Sequence, residues 1–408
     1  MNCRHCNETL KDELIDLGKA PPSNNYISSD DINSPENYYP LKVMVCNNCW
    51  LVQTQDFNDA DELFTDEYAY FSSTSKSFLE HAKNYTTEII NYLKLNEESF
   101  VVELASNDGY LLQNFLQKKI PCLGIEPTKS TAKVSRKKGI ETLEDFFGTE
   151  LGLKLSKIRK ADLIIGNNVY AHVPDINDFT GGIKKLLSPD GTVTLEFPHL
   201  LELVQNNQFD TIYHEHYSYL SLYSVSKIFK HSGLKIYKVD KLATHGGSLR
   251  IYGCHADDIR VIDESYKNLI NEELELGIND MTFYKNFKIR AEEIKNEYLS
   301  FLHDCKNKGL FVCAYGAAAK GNTLLNYCGV KNDLISFVCD AAEAKQNKFL
   351  PGSKIPILHP AVLQEHQKID YVLIFPWNIA EEVISQLDFL KKKGTKFVQA
   401  IPKLTIIT

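Results

Sequence analysis

Alternating apolar and polar stretches predict two separate α/β units along the 408-residue chain. In the first unit, apolar runs of strand length alternate with amphipathic stretches of helix length. This alternation is typical of a mostly parallel sheet with helices on both faces. The predicted strands lie at 100–104, 122–125, 163–165 and 192–197, and the predicted helices lie at 77–95, 111–118, 131–138 and 176–187.

A second, smaller α/β unit is predicted at the end of the chain, with strands at 310–315, 335–339, 371–375 and 396–399. Between the two units, residues 257–307 form a long charged stretch, which we interpret as a helical connector or a helical hairpin. Most of its charges are expected on solvated faces, and they include Glu264, Glu272, Glu273, Glu275, Lys285 and Lys288.

The first 75 residues show little regular pattern, with strand-like runs only at 41–45 and 51–54. Two Cys-x-x-Cys pairs in this region supply the ligand set of a tetrahedral structural zinc site. A metal would explain how a segment with little core folds. The alternatives are a redox pair or four ordinary reduced cysteines. Because four thiolates fill the zinc shell, we expect no chemistry at these residues, which are Cys3, Cys6, Cys46 and Cys49.

Composition narrows the function classes. The net charge of −8 and the pI of about 5.9 disfavour general binding to nucleic acid or anionic membranes. No apolar run approaches the roughly 20 residues of a membrane span, and the N-terminus lacks the apolar stretch of a secretory signal. A cytoplasmic location is therefore predicted. In that reducing compartment, the six scattered cysteines are interpreted as small buried hydrophobic residues.

Residues 101–109 end a predicted strand and open a helix, and their small and turn-forming residues let a ligand approach the helix N-terminus. The segment lacks Gly-x-Gly-x-x-Gly, which argues against a dinucleotide. Ala105 stands where a glycine is usual, and it fits if its φ is negative. Acids at the ends of the next strands complete the pattern by which class I methyltransferases hold S-adenosylmethionine. The residues predicted to bind this cofactor are Glu103, Ala105, Asn107, Asp108, Gly109, Glu126, Pro127, Asp145, Asn167, Asn168 and His172.

The densest group of titratable residues is Ile-Tyr-His-Glu-His-Tyr-Ser-Tyr-Leu at 212–220. Histidine titrates near neutral pH, and tyrosine and glutamate transfer protons where their surroundings tune them. The pattern predicts a catalytic segment, and the plainer alternative is a surface turn beside a core edge. A zincin site is excluded, because Ser218 breaks the His-Glu-x-x-His spacing.

Taken in order, the cysteine pairs, the cofactor motif and the His-Glu-His segment resemble the sugar C-methyltransferases of deoxysugar biosynthesis, specifically the nucleotide-diphosphohexose 3-C-methyltransferases. The resemblance covers essentially the whole chain and includes the segments at 68–73, 244–250 and 315–322. It implies an α/β fold with three parts: a zinc-binding domain (1–75), a class I methyltransferase Rossmann-like domain (76–256), and a helical connector with a Rossmann-like domain (257–408). It implies methyl transfer to the carbon beside a keto group, on C3 of a nucleotide-linked 4-keto-6-deoxyhexose.

The family's Tyr-x-Glu-His pattern falls on Tyr213, Glu215 and His216, and a further tyrosine is either Tyr68 or Tyr70. We expect His216 to be the base and the tyrosines to stabilise an enolate oxygen. Glu215 either orients the imidazole or acts directly on the sugar. His214, Tyr217 and Tyr219 are expected only to shape the pocket.

Two further segments are candidates for substrate contacts. The turn at 245–250 either binds phosphate or ribose or is a tight turn with a solvated arginine. The strand-to-helix turn at 315–322 either binds the diphosphate or only packs around small residues. The candidates are His245, Gly246, Ser248, Arg250, Tyr315, Gly316, Lys320, Asn322, Asp340 and Asn378.

Two other functions compete with this prediction. One is an O-methyltransferase acting on a sugar nucleotide, and the other is a non-catalytic zinc-bearing nucleotide-binding protein. The expected partner is a nucleotide-diphosphate keto-deoxyhexose, with no nucleic acid and no membrane, and the expected state is a monomer or a homodimer.

Overall fold

The computed structural model describes residues 1–55, 71–74 and 76–408, which fold around three sheets. The first sheet is antiparallel, and a short strand from the middle of the chain (Ser218–Tyr219) completes it. Its N-terminal strands are β1 (Asp12–Ala20), β2 (Tyr39–Val45) and β3 (Val52–Thr54).

The expectation of an irregular N-terminal region is wrong for β1, which is nine residues long. Its pairing with β2 shifts register twice, between Glu13 and Ile15 and between Asp16 and Lys19. A bulge breaks the two-residue period of a strand. The apolar positions of β1 therefore do not alternate, and the sequence pattern does not show a strand.

The second sheet has seven strands in the order β10-β11-β8-β7-β4-β5-β6. Strands β4 to β8 run parallel, and β11 runs antiparallel to both of its neighbours. The strands are β4 (Val101–Leu104), β5 (Cys122–Ile125), β6 (Glu141–Leu143), β7 (Ala161–Asn167), β8 (Leu187–Pro198), β9 (the Ser218–Tyr219 strand of the first sheet), β10 (Leu234–Leu242) and β11 (Ser248–His255). The helices are α1 (Lys76–Leu93), α2 (Leu112–Gln117), α3 (Lys129–Lys137), α4 (Thr149–Ser156), α5 (Ile176–Leu186), α6 (Leu200–Gln205) and α7 (Leu222–His231).

The two faces of this sheet contribute to separate cores, as predicted for a mostly parallel sheet covered on both sides. Val101 belongs to a core with α1 and α2, whereas its neighbour Val102 belongs to a core with α5 and α7. The carboxyl ends of the parallel strands therefore meet at one open edge, where ligands bind in such sheets.

The third sheet, in the order β14-β13-β12-β15-β16-β17, lies in the C-terminal part of the chain. Its first five strands are parallel, as the alternating pattern predicted. Among the helices that the structure describes, none has the length and apolar surface to cross a membrane. The strands are β12 (Val312–Tyr315), β13 (Val338–Cys339), β14 (Ile357–Leu358), β15 (Tyr371–Ile374), β16 (Lys396–Gln399) and β17 (Thr405–Ile407). The helices are α8 (Glu264–Glu275), α9 (Met281–Tyr284), α10 (Phe287–Asn307), α11 (Ala319–Cys328), α12 (Val362–Glu365), α13 (Ala380–Gln386) and α14 (Asp388–Lys392).

One charge of the helical connector does not lie on a solvated face, which corrects the expectation for Glu273. Its side chain is buried, and one carboxylate oxygen accepts hydrogen bonds from His199 Nε2 and from the backbone N–H of Leu222, both at 2.7 Å. The other oxygen accepts the N–H of Tyr223 at 2.7 Å. Glu273 thus satisfies the unpaired N–H groups at the start of α7, and it ties the connector to the central sheet.

Candidate active site

The four cysteines of the two Cys-x-x-Cys pairs converge in the structure. Their sulfur atoms all lie within 4.8 Å of one another, and three of the four residues are buried. Four thiolates in one cluster are the donor set of a structural zinc ion. The ring of His5 instead lies 2.8 Å from Asn177 Oδ1, so it is engaged outside the cluster. The donor set leaves no open position for chemistry.

The zinc-binding residues are linked to the His-Glu-His segment through β3. This strand begins three residues after Cys49 and pairs with β9, which begins two residues after His216. The hydroxyl of Thr54 donates to the carbonyl of His216 (3.0 Å), and its N–H donates to the carbonyl of Tyr217 (3.2 Å). Arg4, inside the first Cys-x-x-Cys pair, donates to the carbonyl of Thr54 at 2.9 Å. The zinc cluster and the predicted catalytic segment therefore share one backbone framework.

The loop after β4 has the predicted position but not the predicted backbone. The φ of Ala105 is +54°, so the expectation of a negative φ is wrong, and Asn107 (+49°) and Gly109 (+75°) are also left-handed. The backbone folds back tightly here, and the N–H of Asn107 reaches Glu126 Oε2 at 2.8 Å. An alanine in this conformation is strained by its Cβ.

We expect Ala105→Gly to raise the free energy of unfolding by about 1 kcal/mol, because glycine removes that strain. Chemical denaturation followed by circular dichroism measures the change. Ala132→Gly, in the right-handed helix α3, is the matched control and should lower stability by about 1 kcal/mol. Equal destabilisation by both substitutions would contradict the strain at Ala105.

Three buried acids surround this loop, namely Glu103, Asp108 and Glu126. Burial and the charges of Glu126 and Asp108 raise the pKa of Glu103 well above its ordinary value, and burial also raises the pKa of Glu126. Glu103 Oε2 is buried without a hydrogen-bond partner among the described residues. A group of repelling carboxyls with an unsatisfied oxygen is stabilised by a cationic ligand. S-adenosylmethionine, which carries a sulfonium and an ammonium group, fits this requirement.

The remaining predicted cofactor residues spread along the same edge of the sheet. Asn167 ends β7, and Asn168 after it is left-handed with φ +55°. Pro127 is half-buried beside Glu126, whereas Asp145, after β6, is exposed. His172 lies in a short 3₁₀ turn (Tyr170–His172), and burial lowers its pKa to about 4.

The predicted base lies in an aromatic cluster. The His216 ring centroid is 3.9 Å from that of Tyr213 and 4.7 Å from that of His172. Its Nδ1 lies 2.8 Å from the carbonyl oxygen of Thr211, which accepts only, so Nδ1 carries the proton and Nε2 is bare. Burial and the charges of His172, His245 and Lys320 lower the pKa of His216 well below 6.5. The imidazole is therefore neutral at pH 7, with an unprotonated nitrogen to act as a base.

Glu215 does not orient this imidazole, which corrects one of its two expected roles. The backbone carbonyl of Thr211 orients His216, whereas Glu215 Oε1 accepts a hydrogen bond from Asn24 Nδ2 at 3.0 Å. Glu215 Oε2 is buried without a hydrogen-bond partner in the part of the chain that is described. Burial raises the pKa of Glu215. This geometry is compatible with the second expected role of Glu215, direct action on the substrate.

The C-terminal unit brings Lys320 next to this cluster. Its Nζ lies 4.1 Å from the Trp377 ring centroid and donates to Asn378 Oδ1 at 2.8 Å. Trp377 Nε1 in turn donates to Asp210 Oδ2 at 2.7 Å, next to Thr211. Burial lowers the pKa of Lys320 to about 8, although the charge of Asp210 opposes the shift.

The turn at 244–246 meets the same tryptophan. A Cβ on Gly246 would lie 2.4 Å from Trp377 Cη2, so a glycine is required for this close contact. His245 is left-handed with φ +56°, and burial and the charge of Lys320 lower its pKa to about 4. The hydroxyl of Ser248 donates to the Thr244 carbonyl at 2.9 Å and fixes the turn. Candidate substrate residues of the two α/β units therefore meet at one place.

Arg250 matches neither of its two expected environments fully. It is only 3% exposed, so the solvated alternative is wrong. Its Nε donates to Glu196 Oε1 at 2.7 Å, and its guanidinium lies over the Tyr85 ring at 4.4 Å. The charge of Arg250 is thus matched by Glu196 inside the protein, which makes it a poor independent anchor for a phosphate.

The other residues at 315–340 are largely engaged within the protein. Asp340 Oδ2 accepts the N–H of Ala317 at 2.7 Å, which takes one of the N–H groups predicted for an anion. Asn322 is buried, and its Nδ2 donates to the carbonyl of Ser23 at 2.6 Å. Tyr315 is buried at the end of β12, and Gly316 has φ +89° with Pro376 against it. Lys320 and Asn378 remain the strongest candidates of this group.

Two predicted residues, Tyr68 and Tyr70, lie outside the described residues. Sequence reasoning missed Asn24, Thr211 and the pair of His81 and Glu196. Asn24 lies in the Pro-Pro-Ser-Asn-Asn run at 21–25, and its turn-forming composition was the only signal. Thr211 acts through its backbone carbonyl, which no side-chain pattern reveals.

Comparisons with known proteins decide the family. A C-methyltransferase C-terminal domain model matches residues 243–402, a methyltransferase domain model matches 78–239, and a zinc binding domain model matches 3–64. C-methyltransferase NovU of Streptomyces niveus is 33% identical over 407 residues, which cover 100% of this chain and 96% of that protein. The chain belongs to the sugar C-methyltransferase family.

Membership in this family makes the chain an S-adenosylmethionine-dependent methyltransferase with a zinc-binding domain. The seven-stranded sheet is its class I methyltransferase fold, and the acids around Ala105 lie at the carboxyl ends of its parallel strands. The four-cysteine cluster is its zinc site. When bound, S-adenosylmethionine supplies an electrophilic methyl group.

Solved methyltransferase structures match part of this chain. A methyltransferase from Clostridium acetobutylicum has 14% identity and a TM-score of 0.36, and covers 43% of this chain and 92% of that one. Magnesium protoporphyrin IX methyltransferase from Synechocystis, with bound S-adenosylmethionine, has 12% identity and a TM-score of 0.36, and covers 50% and 100%.

Proposed function

We propose that this C-methyltransferase adds a methyl group to C3 of a nucleotide-linked 4-keto-6-deoxyhexose through an enolate or enediolate, with His216 as the base. The observation that carries the proposal is the tautomer of His216. Its Nδ1–H is held by the Thr211 carbonyl at 2.8 Å, and its bare Nε2 lies in a cluster of aromatic and basic side chains. A carbon-bound proton beside a ketone is weakly acidic, so its removal needs such a positioned base.

The negative charge that develops on the keto oxygen needs hydrogen-bond donors or cations. Tyr213 contacts His216 and is one proposed donor, and one of Tyr68 and Tyr70 is the other. Lys320 lies beside the same cluster. Its positive charge contributes to the lowered pKa values of His216 and His245. We propose Lys320 and Asn378 as contacts of the sugar nucleotide, together with His245 and Gly246 of the turn that meets the same tryptophan.

The proposed function includes a division of the chain into three domains. The zinc-binding domain would span 1–75, the methyltransferase domain 76–256, and the connector with the C-terminal Rossmann-like domain 257–408. The partner would be a nucleotide-diphosphate keto-deoxyhexose rather than a nucleic acid, and the location would be the cytoplasm.

Mass spectrometry and NMR test the function directly. We expect the wild-type enzyme, incubated with S-adenosylmethionine and a panel of keto-sugar nucleotides, to yield a product that is one methyl group heavier. NMR should place the new methyl on C3. A methyl ether in the product would instead indicate an O-methyltransferase. Turnover of no keto-sugar nucleotide, with intact cofactor binding, would contradict the proposal.

A further inference from the structure

One buried carboxylate of the central unit, Asp210, makes a hydrogen bond to the C-terminal unit. Asp210 lies in a short 3₁₀ turn (Phe209–Thr211) and is only 2% exposed. Its Oδ2 accepts the Nε1–H of Trp377 at 2.7 Å. The next residue, Thr211, is the one whose carbonyl oxygen lies 2.8 Å from His216 Nδ1. Asp210 therefore joins the turn that orients the proposed base to a side chain of the C-terminal unit.

The indole of Trp377 has a different neighbour on each of three sides. Its Nε1–H faces Asp210, and the far edge of the ring lies against Gly246, where a Cβ would come within 2.4 Å of Cη2. The ammonium group of Lys320 lies over the ring, 4.1 Å from its centroid, and donates to Asn378 Oδ1 at 2.8 Å. The hydrogen bond to Asp210 fixes the rotation of the indole, and the indole in turn limits where Lys320 lies.

Asp210 also acts on Lys320 through its charge. Burial raises the pKa of Asp210 to about 6, although the charge of Lys320 and the hydrogen bond from Trp377 oppose the shift, so the carboxylate predominates at pH 7. Burial lowers the pKa of Lys320 to about 8, and the charge of Asp210 opposes that shift. His216 and His245 are near enough to feel the charge of Lys320, and both are neutral at pH 7 because burial lowers their pKa values. Asp210 is thus a carboxylate that favours the charged form of Lys320.

We propose that Asp210 is a positioning residue for the sugar nucleotide, which fixes the indole of Trp377 and keeps Lys320 in the charged form that binds the anionic diphosphate. The inference rests on the proposed function, in which Lys320 contacts this substrate. A buried lysine without a nearby carboxylate loses its proton more easily, and a neutral amine binds phosphate oxygens more weakly than an ammonium group does. Asp210 touches no substrate atom in this role and acts through the other two side chains.

Asp210→Asn separates the charge from the hydrogen bond, because the asparagine Oδ1 can still accept from Trp377 Nε1. Without the carboxylate, Lys320 should lose its proton at a lower pH than in the wild type. Calorimetry with thymidine, guanosine and cytidine diphosphates measures the consequence without any methyl transfer. For the diphosphate that the wild type binds, we expect the affinity of Asp210→Asn to be lower by about eightfold at pH 8.5 and by less than about twofold at pH 6.5.

Two further variants accompany this measurement. Asp304→Asn, an exposed aspartate on α10, is the matched control and should bind like the wild type at both pH values. Trp377→Phe removes the Nε1–H but keeps an aromatic ring and the charge of Asp210. We expect it to weaken binding about fivefold at both pH values, because the position of the ring is lost and the charge is kept. Trp377→Phe tests the positioning step even if Asp210→Asn does not fold.

The pH dependence distinguishes this role from a purely structural one. Unchanged binding by Asp210→Asn, equal weakening of this variant at both pH values, or unchanged binding by a folded Trp377→Phe would overturn the inference. A wild-type enzyme that binds none of the three diphosphates would contradict the proposed substrate class. Wild-type binding together with an unaffected Asp210→Asn would contradict only the role of Asp210.

Discussion

His216→Asn should lower methyl transfer by about 10³-fold and abolish deuterium exchange at C3, because it removes the only bare nitrogen of the proposed base. Asparagine is the informative replacement. Its Nδ2 can still donate to the carbonyl of Thr211, as His216 Nδ1 does at 2.8 Å, so the backbone of the segment keeps this contact. NMR in deuterium oxide measures exchange at C3, and calorimetry measures cofactor binding, which should be unchanged.

The pH dependence of the wild-type enzyme adds an independent check on His216. Burial and neighbouring positive charges lower its pKa well below 6.5, so it is already unprotonated at neutral pH. The acid limb of the kcat/KM profile should therefore begin well below pH 6.5, with activity falling as pH falls through that range. Continued C3 exchange in His216→Asn would refute His216 as the base. His303→Asn, on the surface of α10, serves as the control.

Cys46→Ser should have the second large effect, because it removes one of the four thiolates of the zinc cluster. Structural zinc contributes on the order of 10 kcal/mol to the folding of small zinc domains. We expect the metal content to fall from about one zinc per chain to a trace, and we expect the melting temperature to fall. Atomic emission spectroscopy and calorimetry measure the two changes.

Activity should be lost together with the metal, although no thiolate takes part in the chemistry. Strand β3 follows Cys49 and pairs with β9, and Thr54 holds the carbonyls of His216 and Tyr217. Loss of the zinc framework should release the backbone of the predicted catalytic segment. Cys122→Ser, a partly buried cysteine outside the cluster, is the matched control and should keep both zinc and activity. An active, folded and zinc-free Cys46→Ser enzyme would contradict this coupling.

The features that sequence reasoning predicted correctly are local ones. The strand β15 is a continuous apolar run between two parallel neighbours, and a buried parallel strand needs only that run to be visible. The cysteine pairs are visible because a knuckle has a fixed spacing. The features that sequence reasoning predicted wrongly depend on bulges or on partners far away in the chain. Strand β1 was missed because two bulges disrupt its period, and Glu273 was placed in solvent because its partners, His199 and Leu222, lie more than 50 residues away.

The same limit applies inside the candidate site. The residue that orients His216 is a backbone carbonyl, at Thr211, and backbone atoms are identical in every residue. The partner of Glu215 is Asn24, 191 positions earlier in the chain. Arg250 was expected at a phosphate or in solvent, but a cross-strand carboxylate, Glu196, takes its charge. The spacing of nearby residues in the sequence does not indicate any of these pairings.

By itself, the sequence determined the family, the four zinc ligands, the order of the α/β units and the segment that holds His216, because each depends on residue types at short, fixed spacings. Only the tertiary structure decided which nitrogen of His216 is bare, that Ala105 is left-handed, and that Lys320 of the C-terminal unit lies beside the His216 cluster. Those properties depend on contacts between elements distant along the chain, and the packing of the three sheets creates them.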